Sequence, residues 1–272
     1  MGVLEEIFGE VKKPVIGMVH LLPLPGSPLY RGGGLEPIIE RAVKDAKALE
    51  EGGVDGIQIE NIGDRPFKKR VGPETVAFIT EIVHRIKEEV SLPHGLCVLM
   101  DGNAGIAIAK ATGGRWIRST YHMEVYASYV GLMEGWAADL LRFRKAIDAE
   151  DVKVFADVHI KHASPLVHRS IDISALDTVK MGLADAIIIT GKATGLPADV
   201  KDLKLIKERL SNLEVPIFVG SGVSVDNVEK YWPFIDGIIV GTSLKVDGVT
   251  WNPVDVNRVK KFMEKVKELR RE

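Results

Sequence analysis

The chain repeats one pattern eight times: a short apolar run rich in β-branched residues, then a stretch with apolar residues at helical spacing. The runs are PVIGMVH (14–20), VDGIQIEN (54–61), HGLCVLM (94–100), RWIRS (115–119), KVFADVHI (153–160), AIIIT (186–190), PIFVGSG (216–222) and DGIIVGTS (236–243). Strands this apolar are covered on both faces, the condition of a parallel sheet flanked by helices. The first helical stretch, EPIIERAVKDAKALEEGG, places Ile38, Ile39, Ala42, Val43, Ala46 and Leu49 on one side and is ended by Gly52 and Gly53. The spacing also predicts helices over 132–147, from a cap at Ser224, and from Pro253 onward. At about 34 residues per unit, the 272 residues supply eight βα units, which close most naturally into a (β/α)8 TIM barrel. The alternative is an open doubly wound sheet with its ligand at a switch point. No linker or composition shift divides the chain. The expectation is a single domain over 1–272, with the barrel over 13–272 and a short extra helix over 1–12. In that helix Leu4, Ile7, Phe8 and Val11 share a face that would plug the barrel bottom or meet a partner subunit.

Charge and composition exclude several function classes. Lys and Arg total 36 against 38 Asp and Glu, a net charge of −2, so no general basic surface exists for bulk nucleic-acid binding. No run of about 18 apolar residues is present, which excludes membrane insertion as a helix. The opening MGVLEEIFGEVKK lacks the apolar core of a secretion signal, and the single cysteine, Cys97, fits a reducing compartment. The expected location is cytoplasmic.

A barrel concentrates chemistry where its strands end, so the polar residues after each apolar run are the candidates. They are His20; Glu60, Asn61 and Asp64; Asp101 and Asn103; Arg118; Asp157, His159, Lys161 and His162; and Thr190 and Lys192. Alternation along a strand would point Asp157, His159 and Lys161 the same way, provided the strand extends that far. Asp157 and Glu60 can equally anchor Arg118 or Lys161, and His20 can be a structural histidine. Arg115 and His122 read as surface or loop residues. The set carries the argument, because burying so many charges without a ligand or strict pairing is costly.

The last two runs end in VGSGVS and VGTSLK. Glycine lets a ligand approach the backbone, and successive N–H groups make a concavity for an anion, often a phosphate, at these two loops of a barrel. Gly220, Ser221, Gly222, Gly241, Thr242 and Ser243 are the expected phosphate-binding set, with Lys245 adding charge. GKATG (191–195) does not have P-loop spacing. Three long segments on the same rim, LLPLPGSPLYRGGG, STYHMEVYASYVG and KHASPLVHRSID, read as lids or as oligomer contacts. Trp136, Tyr126 and Tyr129 are candidate interface, lid or core anchors, and a homo-oligomer is expected.

The motifs PVIGMVHLLPLPGSPLYRGGG, EGGVDGIQIENIGDRPF, VGPETVA, FADVHIKHASPL and VGSGVSVDNV…DGIIVGTSLKVDGVTWNPVD resemble the BtpA/SgcQ family of TIM-barrel proteins over about residues 13–268. The resemblance implies a barrel with a phosphate-type site. It carries over His20, Glu60, Asn61, Asp64, Asp157, His159, Lys161, His162, Gly220, Gly222 and Gly241. The family is named for a member linked to photosystem I biogenesis, and another branch is labelled a nucleoside triphosphatase. Many relatives have Arg-Asn-Asp where this chain reads LMDGNAG, and Asn and Thr-Asp-Gln-Gly where it reads RSTYHMEVYASYVG.

Two functions from different classes follow. The first is an enzyme acting on a phosphorylated small metabolite, sugar- or nucleotide-derived, held by the glycine turns. Asp157, Lys161, His159, Glu60 and His20 would supply acid–base chemistry or a Schiff base, and Asn61, Arg118, His162 and Lys192 would bind substrate. No cofactor is certain; a divalent metal such as Mg2+ would fall to Glu60, Asp64 and Asp157, as a triphosphatase reaction requires. A lyase, aldolase or isomerase reaction is at least as compatible with these residues. The second function is a non-catalytic assembly or regulatory factor using the barrel as a ligand-responsive scaffold.

Overall fold

The computed structural model describes residues 2–191 and 193–271. In chain order the elements are α1 (Val3–Phe8), β1 (Val15–His20), α2 (Glu36–Gly52), β2 (Gly56–Glu60), α3 (Pro73–Lys87), β3 (His94–Cys97), α4 (Gly102–Thr112), β4 (Trp116–Ser119), β5 (Val125–Ser128), β6 (Gly131–Glu134) and α5 (Ala137–Ala146). They continue with β7 (Lys153–Val158), β8 (Ala163–Pro165), α6 (Ile171–Lys180), β9 (Ala186–Ile189), α7 (Val200–Arg209), β10 (Ile217–Val219), α8 (Val228–Tyr231), β11 (Gly237–Val240) and α9 (Val256–Leu269). Eight strands close a parallel barrel in the order β1-β11-β10-β9-β7-β4-β3-β2. The eight apolar runs are its eight strands, and the (β/α)8 expectation holds.

The main apolar core lies between the strands and the helical ring; Leu49 of α2, Ile82 of α3, Ile106 of α4 and Val259 of α9 are fully buried in it. Gly53, at φ +89°, ends α2 in the left-handed conformation that glycine adopts without strain. A second cluster fills the barrel axis. It contains Ile16, Met18, Trp116, Phe155, Ile188, Phe218 and Ile239, with Ile7 and Phe8 of α1 pressed in from below. The ring centroids run Phe8 to Trp116 at 5.5 Å, Trp116 to Phe155 at 5.8 Å and Phe155 to Phe218 at 5.0 Å, a continuous aromatic column. Gly95 of β3 makes room for it: a Cβ there would fall 2.2 Å from the Trp116 indole. The plug reading of the opening helix therefore holds.

Three local expectations are corrected. LMEG of the segment 132–147 is not helical: β6 pairs antiparallel with β5, and β8 adds to the other edge of β5. The segments read as lids after strands four and five thus form one three-stranded sheet over the rim. It is packed on Met100, Tyr121 and Ile160 through Tyr126 and Met133. Second, the expected helix at Ser224 shortens to four residues, because Asn227 turns back so that its Oδ1 accepts from the Ser224 N–H at 2.8 Å. Third, the last helix starts at Val256, where the Asp255 side chain accepts from the Asn257 and Arg258 N–H groups. Among the described residues no helix is long and apolar enough to cross a membrane.

Candidate active site

Period-two alternation fixes what reaches the mouth of the barrel. Two residues beyond the inward-facing Met18, Gln58, Trp116, Phe155, Phe218 and Ile239 stand His20, Glu60, Arg118, Asp157, Gly220 and Gly241. Above an apolar interior lies one polar layer, and the two glycines leave space at the ends of β10 and β11. A Cβ at Gly220 would sit 2.5 Å from Ile188, and one at Gly241 would sit 3.2 Å from the His20 ring.

That space is one lobe of a cleft, about 430 Å³, lined by His20, Glu60, Arg118, Lys161 and the turns at 220–224 and 241–243. Gly222 is held at φ +64°, and a Cβ there would collide with the Leu196 and Pro197 backbone at 2.3–2.5 Å. The N–H groups of Ser221, Gly222 and Val223 have no acceptor among the described residues. Three successive unused donors beside a cation are a ready anion seat. The hydroxyls expected to face the anion brace the loops instead. Ser221 donates to the Ala193 carbonyl at 3.2 Å, Ser243 donates to the Val223 carbonyl at 2.6 Å, and Thr242 bonds Thr250 at 2.9 Å.

A second lobe of about 770 Å³ opens beside the first and shares Glu60, Ile62, Arg118, Lys161 and Thr194 with it. Its walls are Phe67, Leu99, Met100, Tyr121, Tyr129, Ile160 and Trp251. The charged groups form the neck between a smaller polar chamber and a larger apolar one.

Within the neck, Arg118 makes a bidentate pair with Asp157, Nε to both carboxylate oxygens at 3.1 and 3.2 Å and a terminal nitrogen to Oδ2 at 3.0 Å. Burial works most strongly against the guanidinium charge, but Asp157, Glu60 and the other negative-leaning groups around it together outweigh burial and hold Arg118 protonated. Asp157 itself does not line either lobe; both of its carboxylate oxygens are taken up by Arg118, the arrangement of the anchoring alternative. Lys161 makes no hydrogen bond or ion pair among the described residues. Burial, then the Arg118 charge, lower its pKa against the opposing pull of Glu60 and Asp157. Burial, then the Glu60 charge beside it, push the pKa of the Cys97 thiol well up, leaving Cys97 protonated. His20 is held neutral, its pKa driven well below the usual value by burial and then by Lys245, and its Nδ1 is buried without a partner.

Several expected site residues lie elsewhere. The strand ends at Val158, and His159, at φ +50°, swings outward to Ser174 on α6, with Nε2 at 3.1 Å from Oγ. The expected alignment of Asp157, His159 and Lys161 is broken there. Asn61 and Asp64 brace loops: Asn61 Oδ1 accepts from the Leu99 N–H at 2.8 Å, its Nδ2 donates to Asp64 at 3.1 Å, and Asp64 Oδ1 accepts from the Leu24 N–H at 2.8 Å. With Asp64 spent in this way and both Asp157 oxygens on Arg118, the carboxylates expected to hold Mg2+ do not converge. No group of three or more His, Cys, Asp or Glu is placed to hold a metal ion among the described residues. Lys245 is fully buried behind the site, bonded to Asp45 at 3.2 Å and the Met18 carbonyl at 3.3 Å. Asp101 caps α4 and pairs with Arg70 at 3.0 Å. His122 is buried between Ser119 and the Gly182 carbonyl rather than exposed. His162 lines the apolar lobe, its Nε2 accepting from the Thr194 N–H at 3.2 Å. Lys192 lies outside the described residues.

Two contributors escaped the sequence reading. Arg258, in the first turn of α9, lines the anion lobe and reaches the Ser243 carbonyl at 3.4 Å. The aromatic lobe draws on three rim segments, through Phe67 after β2, Tyr129 between β5 and β6, and Trp251 after β11. Arg258 follows the Asp255 helix cap by three residues, a spacing that signals a side chain at a helix entrance; no sequence pattern joins the three rings.

A closed parallel barrel with a polar chamber at the ends of its last two strands defines the class of architecture. Within it, residues 11–268 match the BtpA family model, and the chain belongs to the BtpA family. It is 47% identical to an uncharacterised protein of Thermococcus kodakarensis, over 95% of this chain and 97% of the other. It is 42% identical to the photosystem I biogenesis protein BtpA of Synechocystis, over 95% and 90% of the two chains. It is 34% identical to SgcQ of Escherichia coli over the full length of both. Solved structures sharing the fold include thiamine phosphate pyrophosphorylase from Pyrococcus furiosus, with a TM-score of 0.57, 13% identity and coverage of 98% and 99%. Phosphoribosyl anthranilate isomerase from Thermus thermophilus has a TM-score of 0.55, 11% identity and coverage of 94% and 99%.

Proposed function

We propose that the chain is an enzyme that holds a phosphorylated small metabolite by its phosphate and carries out acid–base chemistry on it in the neck of the cleft. The observation that carries this reading is the Lys161 amine: half-buried at the neck, without an ion pair among the described residues, lowered in pKa, and lining the lobe with Glu60, Arg118 and the turn of the three unused backbone donors. The Ser221–Val223 donors, with Arg258 at the edge, receive the phosphate. Glu60 then removes a proton from the carbon next to a substrate carbonyl. Arg118 and Lys161 hold the negative charge that develops on the carbonyl oxygen. Returning the proton to the former carbonyl carbon, with the adjacent hydroxyl proton passed to the carbonyl oxygen, gives an isomerase; departure of a leaving group from the carbon on the other side of the deprotonated one gives a lyase. Neutral His20 is able to carry a proton between oxygens. A lysine with a lowered pKa is also a nucleophile, and its condensation with the carbonyl, with release of water, would give an aldolase-type Schiff base. Two structures sharing the fold bear the names of enzymes with phosphorylated substrates, which accords with this reading. A triphosphatase reaction through Mg2+ is not supported, because Asp64 is spent on Asn61 and Leu24 and Asp157 on Arg118, which leaves Glu60 as the one expected carboxylate facing the cleft.

The test is a panel of phosphorylated carbonyl metabolites, scored first by thermal stabilisation and then by turnover. Lys161→Ala is expected to abolish turnover while retaining ligand-induced stabilisation. The name of the Synechocystis relative favours a second reading, a non-catalytic biogenesis factor. Stabilisation by a phosphometabolite without turnover, with or without divalent metal, would support that reading and refute the enzyme.

A further inference from the structure

The larger lobe has a chemistry of its own. Tyr129 and Trp251 remain 59% and 46% exposed on its wall, although aromatic rings of this size gain most from being covered. They are ordered by neighbours and not left loose. The Arg65 guanidinium lies 3.9 Å from the Trp251 ring centroid, Phe67 meets Tyr129 at 6.4 Å, and His162 meets Tyr129 edge-on at 6.2 Å. Carboxylates and carboxamides, which pair two neighbouring hydroxyls at once, are the strongest partners for a sugar or other polyhydroxyl group. Among the described residues lining this lobe Glu60 is the one carboxylate, it stands at the neck, and there is no carboxamide. Beyond the neck the remaining polar side chains are hydroxyls, His162 and Arg65. Such a chamber rewards a flat apolar surface and gives little to a polar chain.

We propose that the substrate is a phosphate monoester carrying a planar aromatic or heteroaromatic ring, with the ring in the Tyr129–Trp251 lobe and the phosphate on the Ser221–Val223 turn. The short polar segment joining the two ends crosses the neck, which places the reacting bond beside Glu60, Lys161 and Arg118. This rests on the phosphate reading above and specifies what the phosphate is attached to. Ring stacking supplies binding remote from the chemistry, and the ring and phosphate together fix the segment between them.

Calorimetric titration of the full chain with four probes tests it: adenosine monophosphate, uridine monophosphate, ribose 5-phosphate and adenosine. At least one ring phosphate is expected to bind about tenfold or more tightly than ribose 5-phosphate. Trp251→Ala and Tyr129→Ala should each weaken that ring phosphate by about tenfold. Both variants should leave ribose 5-phosphate affinity unchanged, and Trp251→Phe should recover most of the loss. Melting curves of these exposed-residue variants check that they fold. Ribose 5-phosphate binding as tightly as both ring phosphates would overturn the ring assignment and leave the phosphate reading intact. Unaltered ring-phosphate affinity in both alanine variants would do the same. Adenosine binding as tightly as its monophosphate would instead overturn the phosphate reading, with the ring lobe standing.

Discussion

Replacing Asp157 by asparagine separates anchoring from chemistry in the neck. The Asp157 side chain is fully buried, its Arg118 partner is 3% exposed, and the two share three hydrogen bonds at 3.0–3.2 Å. Asp157→Asn keeps the shape and removes the charge, leaving a buried guanidinium facing an amide. Breaking a buried pair by removing one partner costs about 3–5 kcal/mol. The lower end applies, because Glu60 also supports the Arg118 charge. For a chain of this size about 3 kcal/mol corresponds to a fall in Tm on the order of 10 °C. The double replacement Arg118→Met with Asp157→Leu removes both charges and fills a similar volume. It should melt within a few degrees of the parent, since apolar replacement of a whole buried pair is often neutral or stabilising. Circular dichroism melts and urea titrations of Arg118→Met, Asp157→Leu and their double variant give the coupling energy, beside Asp157→Asn. The double variant, though folded, should lose the stabilisation that phosphorylated ligands confer, because Arg118 borders both lobes. Asp157→Asn melting within about 2 °C of the parent would refute a buried, charged pair. A double variant as unstable as the single one would refute the argument that the pair positions rather than stabilises.

Three further outcomes follow from the same geometry. Phe8→Ala removes the ring that closes the aromatic column from below and should cost about 3–5 kcal/mol in urea unfolding, leaving ligand affinity at the opposite rim unchanged. Gly222→Ala meets both a left-handed backbone and a collision with Leu196 and Pro197; it should cost at least about 1–2 kcal/mol and abolish stabilisation by inorganic phosphate in a melting assay. His94 is buried with a pKa lowered to about 4 by burial and then by Lys87, so between the unfolded value near 6.5 and pH 4 the unfolded chain binds more protons. Stability should therefore fall as pH drops through that window, by about 3 kcal/mol from this group at the acid end. His94→Gln should flatten that part of the urea-derived stability profile.

Much of the barrel was legible because its evidence is periodic. A wholly apolar run must be covered on both faces, and eight such runs have few ways to close. The same period of two carried part of the site. Counting two residues past Met18, Gln58 and Trp116 reaches His20, Glu60 and Arg118, all of which line the cleft. The rule failed where its premise failed, at Val158, beyond which His159 turns outward on a positive φ. The three-stranded sheet over the rim was invisible for a related reason. VYAS and GLME have no pattern of their own and become strands only by pairing with each other and with ASP at 163–165. The lobe that Tyr129 helps to build was therefore beyond a reading by local pattern.

The polar residues past the strand ends were harder to sort, and the physical reason is specific. A chain that leaves a strand and turns over the rim has N–H groups no ladder satisfies, and each needs an acceptor. Asn61, Asp64 and Asp101 answer such needs, accepting from Leu99, Leu24 and Val71. Glu60 and Lys161 stand on the same rim with no backbone partner for their side chains among the described residues, so their charge is left facing the cleft, while Arg118 borders it with its charge held by Asp157. In sequence both groups are carboxylates, amides and cations just beyond an apolar run. What separates them is whether a loop bends within reach, a property of segments 30 to 40 residues away in the chain, as the separations of Asn61 from Leu99 and Asp64 from Leu24 illustrate. A polar rim residue is thus a candidate for chemistry only after the backbone around it has been satisfied. On that criterion Lys161 is the strongest of the set and Asp64 the weakest.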